Sequence, residues 1–147
     1  AARLCATIAR AVHIAHEKGV IHRDLKPGNI MLSSGGEPFL MDFGLAKREA
    51  GEITMTMDGQ IIGTPAYISP ERAKGLEADH RADIYALGII AYAMFTGSPP
   101  YKGEPMSLLF QHIEGKARRL HEVDETISQD ISDVVAKLMA VVEAPSL

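Results

Sequence analysis

The first stretch of the chain carries apolar residues at intervals of three and four, the spacing that places side chains on one face of a helix. These residues are Leu4, Ile8, Ala11, Val12 and Ala15. The pattern predicts an amphipathic helix over residues 1–18. We expect the helix to stop at Gly19, because glycine readily adopts the left-handed conformation that ends helices.

Three brief apolar runs follow, at residues 20–21, 30–32 and 39–41, and polar or glycine-rich turns separate them. Runs of this kind predict short β-strands. From residue 47 to residue 63 the chain is polar and shows little periodicity. We therefore expect a long surface loop there, and loops of such length are usually functional or disordered.

The second half of the chain has the patterns of successive helices. Residues 70–73 begin a short helix, and residues 83–96 form an almost wholly apolar one, which predicts a helix buried on all sides. Residues 106–115 and 126–140 show amphipathic patterns. The predicted fold class is therefore mainly α with short β-strands.

Composition narrows the classes of protein that this pattern allows. The chain has 147 residues, of which 46% are hydrophobic and 23% charged, as in soluble globular domains. Its net charge of −4 offers no basic surface for nucleic acid. The single cysteine, Cys5, excludes a disulfide framework and favours a reducing, cytoplasmic setting. The longest apolar run, residues 86–96, has about half of the roughly 20 residues that span a bilayer, so we expect no membrane segment in this chain.

The most concentrated chemistry lies in the sequence HRDLKPGNIM at residues 22–31. Phosphoryl transfer requires a carboxylate that accepts a hydroxyl proton, a cation beside the moving phosphate, and oxygen ligands for Mg²⁺. Asp24, Lys26 and Asn29 offer these three functions within one short loop. A second carboxylate, Asp42, follows in the sequence MDFG after the third predicted strand. The residue types therefore indicate a site for transfer of a phosphoryl group.

Four sequence motifs occur in order along the chain: HRDLKPGN, DFG, GTPAYISPE and DIYALG. Together they resemble the C-terminal lobe of eukaryotic-type (Hanks-type) serine/threonine protein kinases. The sequences of the motifs are most similar to those of bacterial members of this family. The lysine two residues after Asp24, together with Thr64 in GTPAY, is typical of the serine/threonine branch. One short motif arises easily by chance, but four in this order do not.

The resemblance implies a partial protein kinase domain over residues 1–147, with the α+β fold of a C-terminal lobe and the N-terminal lobe absent. It implies a division into a helix before the catalytic loop, catalytic and magnesium loops, an activation segment and a helical substrate platform. These segments are residues 1–18, 20–46, 42–71 and 72–142, respectively.

The resemblance also implies roles for single residues in the reaction. Asp24 would be the catalytic base, and Lys26 would contact the γ-phosphate of ATP. Asn29 and Asp42 would hold Mg²⁺, for which Mn²⁺ can substitute. Thr64 would hydrogen-bond toward Asp24 and Lys26, and so help to orient the serine or threonine hydroxyl of a protein substrate.

Other residues have structural or regulatory counterparts in the family. His22 and Phe43 resemble members of the apolar stack that links the two lobes, and Asp83 resembles the buried aspartate that anchors the catalytic loop. Arg23 resembles the usual receiver of a phosphate on the activation loop. Glu71 normally pairs with a buried arginine in a later helix, but the final sequence VVEAPSL offers none. An unpaired buried glutamate is costly, so we expect Glu71 to be exposed or the chain to be truncated or frameshifted.

Met31, Ile90 and Met94 match family positions that pack beneath or behind the adenine ring, and on that ground we assign Met31 to the nucleotide site. Ordinary core packing is the default for residues of this type. The remaining histidines fit no metal-ligand spacing with a carboxylate or cysteine partner, and we interpret them as surface or core residues. They are His13, His16, His80, His112 and His121.

Thr54 and Thr56 lie in the predicted loop between DFG and GTPAY. They are either ordinary residues of an exposed polar loop or sites of autophosphorylation. In the second case each phosphate adds about −1.5 to −2 charges. Arg23, with Lys47 or Arg48, would then bind the phosphate and order the loop.

Several parts of a complete kinase do not occur in these 147 residues, namely a Gly-rich phosphate loop, a VAIK-type lysine and its glutamate partner. We therefore expect the parent protein to phosphorylate Ser/Thr hydroxyls of proteins with ATP, and these residues alone to be inactive without the missing lobe. A membrane anchor elsewhere in the parent is compatible with this. The alternatives are a pseudokinase-like scaffold, which predicts loss of a metal ligand, and a small-molecule phosphotransferase, which does not share GTPAYISPE.

Overall fold

The structure is a computed structural model that describes residues 1–43, 54–55, 58, 61–62 and 65–140. Its α-helices are α1 (Ala2–Glu17), α2 (Pro70–Ala73), α3 (Arg81–Thr96), α4 (Pro105–Glu114), α5 (Leu120–Val123) and α6 (Gln129–Leu138). Its strands are β1 (Ile30–Leu32), β2 (Pro38–Leu40), β3 (Thr54–Met55) and β4 (Ile61–Ile62), and 3₁₀ turns lie at Pro27–Asn29 and Pro65–Tyr67. The predicted fold class, mainly α with short strands, is confirmed.

The strands form two small antiparallel pairs. In the first pair Ile30 of β1 lies opposite Leu40 of β2, and in the second Thr54 of β3 lies opposite Ile62 of β4. The strand predicted at residues 20–21 is wrong, because the backbone N–H groups of this segment have other acceptors. The N–H of Val20 donates to the carbonyl of Ala15 at the end of α1, and that of His22 donates to Asp83. The predicted loop at 47–63 contains β3 and β4, whose two-residue length leaves no detectable periodicity.

Helix α3 is the centre of the fold, and α1, α5 and α6 pack around it. Because α3 is apolar on nearly every side, it supplies both hydrophobic clusters of the core. One cluster contains Tyr85, Ile89, Tyr92, Leu120 and Val135, and the other contains Ile8, Val12, Leu25, Leu87 and Ile90. No helix in the described ranges combines the length and apolar content needed to cross a membrane.

Gly88 is a point of close approach between α3 and the C-terminal end of α6. A Cβ at this position would lie 2.8 Å from Met139 Cγ and 2.9 Å from Leu138 Cβ. We expect Gly88→Ala to lower the free energy of unfolding by about 1–3 kcal/mol, because the added methyl group overpacks the contact. Chemical denaturation followed by circular dichroism measures this change.

Gly28→Ala is the matched control, because a Cβ at Gly28 meets no atom within 4 Å. The control should leave the free energy of unfolding within about 0.5 kcal/mol of the original value. Equal stability of the Gly88 and Gly28 variants would contradict the close packing of α3 on α6.

Candidate active site

Asp83, in the first turn of α3, is the buried anchor for the loop that carries HRDLKPGN. The residue is only 1% exposed. Its Oδ2 accepts a hydrogen bond of 2.8 Å from the backbone N–H of His22, and its Oδ1 accepts one of 2.9 Å from that of Arg23. The N-terminal end of a helix also favours a negative charge. The carboxylate therefore fixes the backbone where the loop begins.

His16 of α1 is a third partner of this carboxylate, with Nε2 at 2.8 Å from Asp83 Oδ2. The sequence analysis interprets His16 as a surface or core residue and does not predict this carboxylate partner. The two residues are 67 positions apart, so spacing within one element gives no sign of the contact. With two backbone N–H groups and one imidazole around it, the buried carboxylate is satisfied by hydrogen bonds, as a buried charge requires.

His22 connects the start of the loop to the segment that carries DFG. Its Nδ1 accepts a hydrogen bond of 3.2 Å from the backbone N–H of Asp24, so its Nε2 carries the proton of the neutral ring. Nε2 donates to the carbonyl of Met41 at 2.8 Å, and the ring centroid lies 4.6 Å from that of Phe43. The ring thus holds the two loops side by side.

Asp24, Lys26 and Asn29 converge in one hydrogen-bonded cluster. Asn29 is buried, and its Nδ2 donates to the carbonyl of Asp24 at 2.7 Å and to Asp24 Oδ2 at 3.2 Å. Lys26 Nζ lies 3.1 Å from the same carboxylate oxygen. Both of these bonds use the nitrogen of Asn29, and within the described chain its side-chain oxygen accepts no hydrogen bond, so the oxygen is available to a ligand. The loop therefore presents a carboxylate, a cation and an amide oxygen together.

Asp42 is brought next to this cluster by the backbone. The N–H of Met41 donates to the carbonyl of Asn29 at 2.8 Å, which places the following residue, Asp42, beside the loop. Asp42 is exposed and has a left-handed φ of 59°, which is uncommon for a residue other than glycine and costs free energy. Strained residues of this kind cluster at functional sites.

The donor set of the site fits Mg²⁺ better than a transition metal. No group of three His, Cys, Asp or Glu side chains that would hold a metal occurs among the residues with described positions. Mg²⁺ instead takes oxygen ligands and commonly uses one or two protein groups together with substrate phosphates. The carboxylate of Asp42 and the amide oxygen of Asn29 meet this requirement.

Arg72 is a residue near the site that the sequence interpretation missed. Its Nη1 donates a hydrogen bond to the backbone carbonyl of Arg23, across 49 positions of sequence. Burial lowers the pKa of Arg72 below its ordinary value, and the negative charges of Asp24 and Asp83 oppose that shift. Arg72 therefore adds a second clamp on the loop, and no motif in the sequence signals it.

The remaining predicted site residues include some whose positions the structure does not describe. Thr56 and Thr64 lie outside the described residues, as do Lys47 and Arg48, and the side chain of Thr54 is not among those described. Arg23 is exposed with a left-handed φ of 70°, and Glu71 is half-buried. Glu71 has no ion pair with another residue in the described ranges.

Among the residues matched to the adenine pocket, Ile90 lies in the core and Met94 packs against it. Met31 is 54% exposed, so the default expectation of core packing is wrong for this residue. Leu32 and Phe39 are also exposed on the β1–β2 pair. Met31 and Phe39 lie opposite each other and so share one face of the strand pair, whereas Leu32 points to the other face.

Ser69, just before α2, is 1% exposed and its hydroxyl has no hydrogen-bond partner within the described chain. A buried polar group without a partner costs free energy. We expect Ser69→Ala to leave the free energy of unfolding unchanged or to raise it by about 1 kcal/mol. Chemical denaturation of the two proteins measures the difference.

Ser132 offers a matched control, since it is also 1% exposed but its Oγ lies 2.8 Å from His121 Nδ1. Ser132→Ala should lower the free energy of unfolding by about 1–2 kcal/mol, because it removes a satisfied hydrogen bond. If both variants lost the same stability, the unpaired state of the Ser69 hydroxyl would be refuted.

Comparison with known proteins identifies the class to which this fold and site belong. The family model described as "Protein kinase domain" matches residues 1–144. The chain is 39% identical over 141 residues to the serine/threonine-protein kinase PknB of Mycobacterium leprae, covering 95% of this chain and 23% of that protein. It is also 39% identical over 133 residues to the DNA damage-responsive serine/threonine-protein kinase RqkA of Deinococcus radiodurans, covering 90% of this chain and 20% of that protein.

The chain therefore belongs to the protein kinase domain family, and both named relatives are bacterial serine/threonine-protein kinases. The predicted family is confirmed. The chain spans between a fifth and a quarter of the length of these curated relatives.

Proposed function

We propose that this chain is the catalytic-loop part of an enzyme that transfers the γ-phosphoryl group of ATP to serine and threonine hydroxyls of proteins. One observation carries the proposal: Asp24, Lys26 and Asn29 share hydrogen bonds at 2.7–3.2 Å in a loop whose backbone is fixed by Asp83. Family membership supports the same reaction.

In this proposal Asp24 is the base, because a carboxylate can accept the proton of the attacking hydroxyl. Lys26 contributes a positive charge beside the transferred phosphoryl group. Asn29 and Asp42 would hold Mg²⁺, which neutralises phosphate charge when it is bound with ATP. Lys26 and Asn29 also keep Asp24 in place, since both contact its Oδ2.

The adenine of ATP has a candidate neighbour in the apolar surface of β1 and β2. Met31 and Phe39 lie opposite each other on one face of this pair, and each is more than half exposed. An exposed apolar surface of this kind commonly marks a ligand or protein contact. We assign Met31 to the nucleotide and expect the surface to be covered by the nucleotide and by an N-terminal kinase lobe.

A protein substrate is favoured over a small molecule by the segment around the 3₁₀ turn Pro65–Tyr67. This turn packs on α3 and α4. We assign the surface of the turn to the binding of an extended segment of the protein substrate. A pseudokinase is disfavoured because Asp24, Asn29 and Asp42 are all retained. Thr64 precedes the turn, and we assign it to orientation of the substrate hydroxyl.

Control by phosphorylation is a further part of the proposal. Arg23 is exposed beside Asp24 and has the charge to bind a phosphate. Thr54 and Thr56 are the proposed acceptors. Mass spectrometry of the full-length gene product after incubation with Mg²⁺ and ATP tests this. Phosphate confined to positions outside residues 45–63 would count against it.

The direct test of the proposed function is transfer of radiolabelled phosphate from ATP to casein by the full-length gene product. We expect phosphoserine and phosphothreonine, and no phosphotyrosine. The 147 residues alone should transfer no phosphate, because they contain no Gly-rich loop to hold the other phosphates of ATP. Absence of transfer by the full-length protein would refute the proposal.

A further inference from the structure

The peptide unit that joins Arg23 to Asp24 leads directly into the proposed base, and its backbone is strained. Arg23 has a left-handed φ of 70°, which is uncommon for a residue other than glycine and costs free energy. A residue keeps such a conformation only where the surrounding structure holds it there. The partners of this peptide unit therefore determine how Asp24 is oriented.

Three hydrogen bonds hold the backbone around the strained residue. The N–H of Arg23 donates to Asp83 Oδ1 at 2.9 Å, and the N–H of Asp24 donates to His22 Nδ1 at 3.2 Å. The carbonyl of Arg23 accepts a hydrogen bond from Nη1 of Arg72. Among the described residues no other group donates to this carbonyl, so Arg72 alone restrains that side of the peptide unit there.

The side chain of Arg72 is suited to this task. Its guanidinium stays protonated near pH 7, and a charged donor makes a stronger hydrogen bond than a neutral one. The residue is half-buried, and within the described ranges it forms no ion pair with a carboxylate. Its hydrogen bond to the Arg23 carbonyl therefore has no competing acidic partner in that part of the chain.

The position of Arg72 in the fold links two parts of the proposed site. The residue belongs to α2, which follows soon after the 3₁₀ turn Pro65–Tyr67 and packs against α4. The surface of that turn is assigned above to the protein substrate. The Arg72 side chain thus joins the segment assigned to the substrate to the backbone of the proposed base, across 49 positions of sequence.

We propose that Arg72 is a positioning residue for Asp24, because it holds the Arg23 carbonyl and so fixes the peptide unit that orients the base. This inference rests on the proposed function. Without this bond Arg23 can leave the left-handed conformation, and Asp24 then spends less time in its productive orientation. Asn29 and Lys26 still contact the carboxylate, so the loss of activity should be partial.

The experiment compares the full-length protein with Arg72→Met, which keeps the apolar stem of the side chain and removes the guanidinium. We expect kcat for phosphate transfer to casein to fall about tenfold, as for loss of one hydrogen bond from a charged group, with each KM changing less than about twofold. Arg72→Lys retains a charged donor and should recover part of kcat.

Lys74→Met is the matched control, because it removes an exposed cation at the C-terminal end of the same helix. It should change neither kcat nor KM. If Arg72→Met raised the KM for casein as much as it lowered kcat, or if Arg72→Lys recovered nothing, the role of Arg72 would be merely structural and the proposal would be overturned.

Hydrogen exchange of the Asp24 amide gives a readout that does not depend on activity. We expect faster exchange at this amide in Arg72→Met, while the amides of α3 keep their rates and Lys74→Met changes neither. Unchanged exchange at Asp24, or equally faster exchange throughout α3, would also overturn the proposal.

If the unmodified protein transfers no phosphate, the proposed function fails by itself. Exchange of the Asp24 amide then still decides whether Arg72 holds the loop. The two failures are therefore distinguishable.

Discussion

Asp24→Asn in the full-length protein is expected to lower kcat for phosphate transfer to casein by about 10²–10⁴-fold, the usual contribution of a general base. An amide cannot accept the hydroxyl proton. Its oxygen can still accept the hydrogen bond from Asn29 Nδ2, now 3.2 Å from the carboxylate, so the loop should keep its shape. Steady-state kinetics with radiolabelled ATP measure the loss, and the KM for ATP should change little.

Asp79→Asn is a suitable control for this variant, because Asp79 is exposed in the turn before α3 and pairs with Arg81, the first residue of that helix. It should retain full activity. If Asp24→Asn kept activity similar to that of the control, Asp24 would not be the base, whatever the sequence around it.

Asp83→Ala is expected to have the largest effect on the loop itself. The substitution leaves the N–H groups of His22 and Arg23 and the His16 ring without their buried acceptor. Hydrogen bonds to a charged group are worth about 1.5–3 kcal/mol each, so we expect the free energy of unfolding to fall by about 3 kcal/mol or more. Phosphate transfer should be lost as well.

Hydrogen exchange of the amides of His22 and Arg23 measures the effect of this variant locally, because both donate to Asp83. Their exchange should become much faster. Asp133→Ala removes an exposed ion pair with Arg119 and serves as the control, with an expected loss of only about 0–1 kcal/mol. Unchanged exchange at His22 and Arg23 in Asp83→Ala would contradict the anchoring role.

The elements with strong periodicity were predictable from sequence because local patterns determine them. The apolar run predicted helix 83–96, and the structure begins it two residues earlier, at Arg81, because polar residues of the first turn carry no apolar signal. Gly19 ends α1 with a φ of 73°, as expected for a residue without a side chain. Strands of two residues, such as β3 and β4, are too short for any pattern.

The candidate site was predictable where its residues are close in sequence. Asp24, Lys26 and Asn29 lie in one loop, so their chemistry shows in the sequence. His16 contacts Asp83 across 67 positions of sequence, and Arg72 contacts the carbonyl of Arg23 across 49 positions. No residue near either of them in sequence indicates that it contacts the site.

The central assignment is that Asp42 holds the metal ion and Asp24 acts as the base. Measuring Mn²⁺ binding by the full-length protein in the presence of ADP tests it most directly, because metal binding depends on the ligand and not on the base. Electron paramagnetic resonance should show binding at least about tenfold weaker in Asp42→Ala, because even outer partners of a metal contribute that much. Asp24→Asn, which removes the base and not a ligand, should bind Mn²⁺ as the unmodified protein does. Unweakened binding in Asp42→Ala would contradict the assignment.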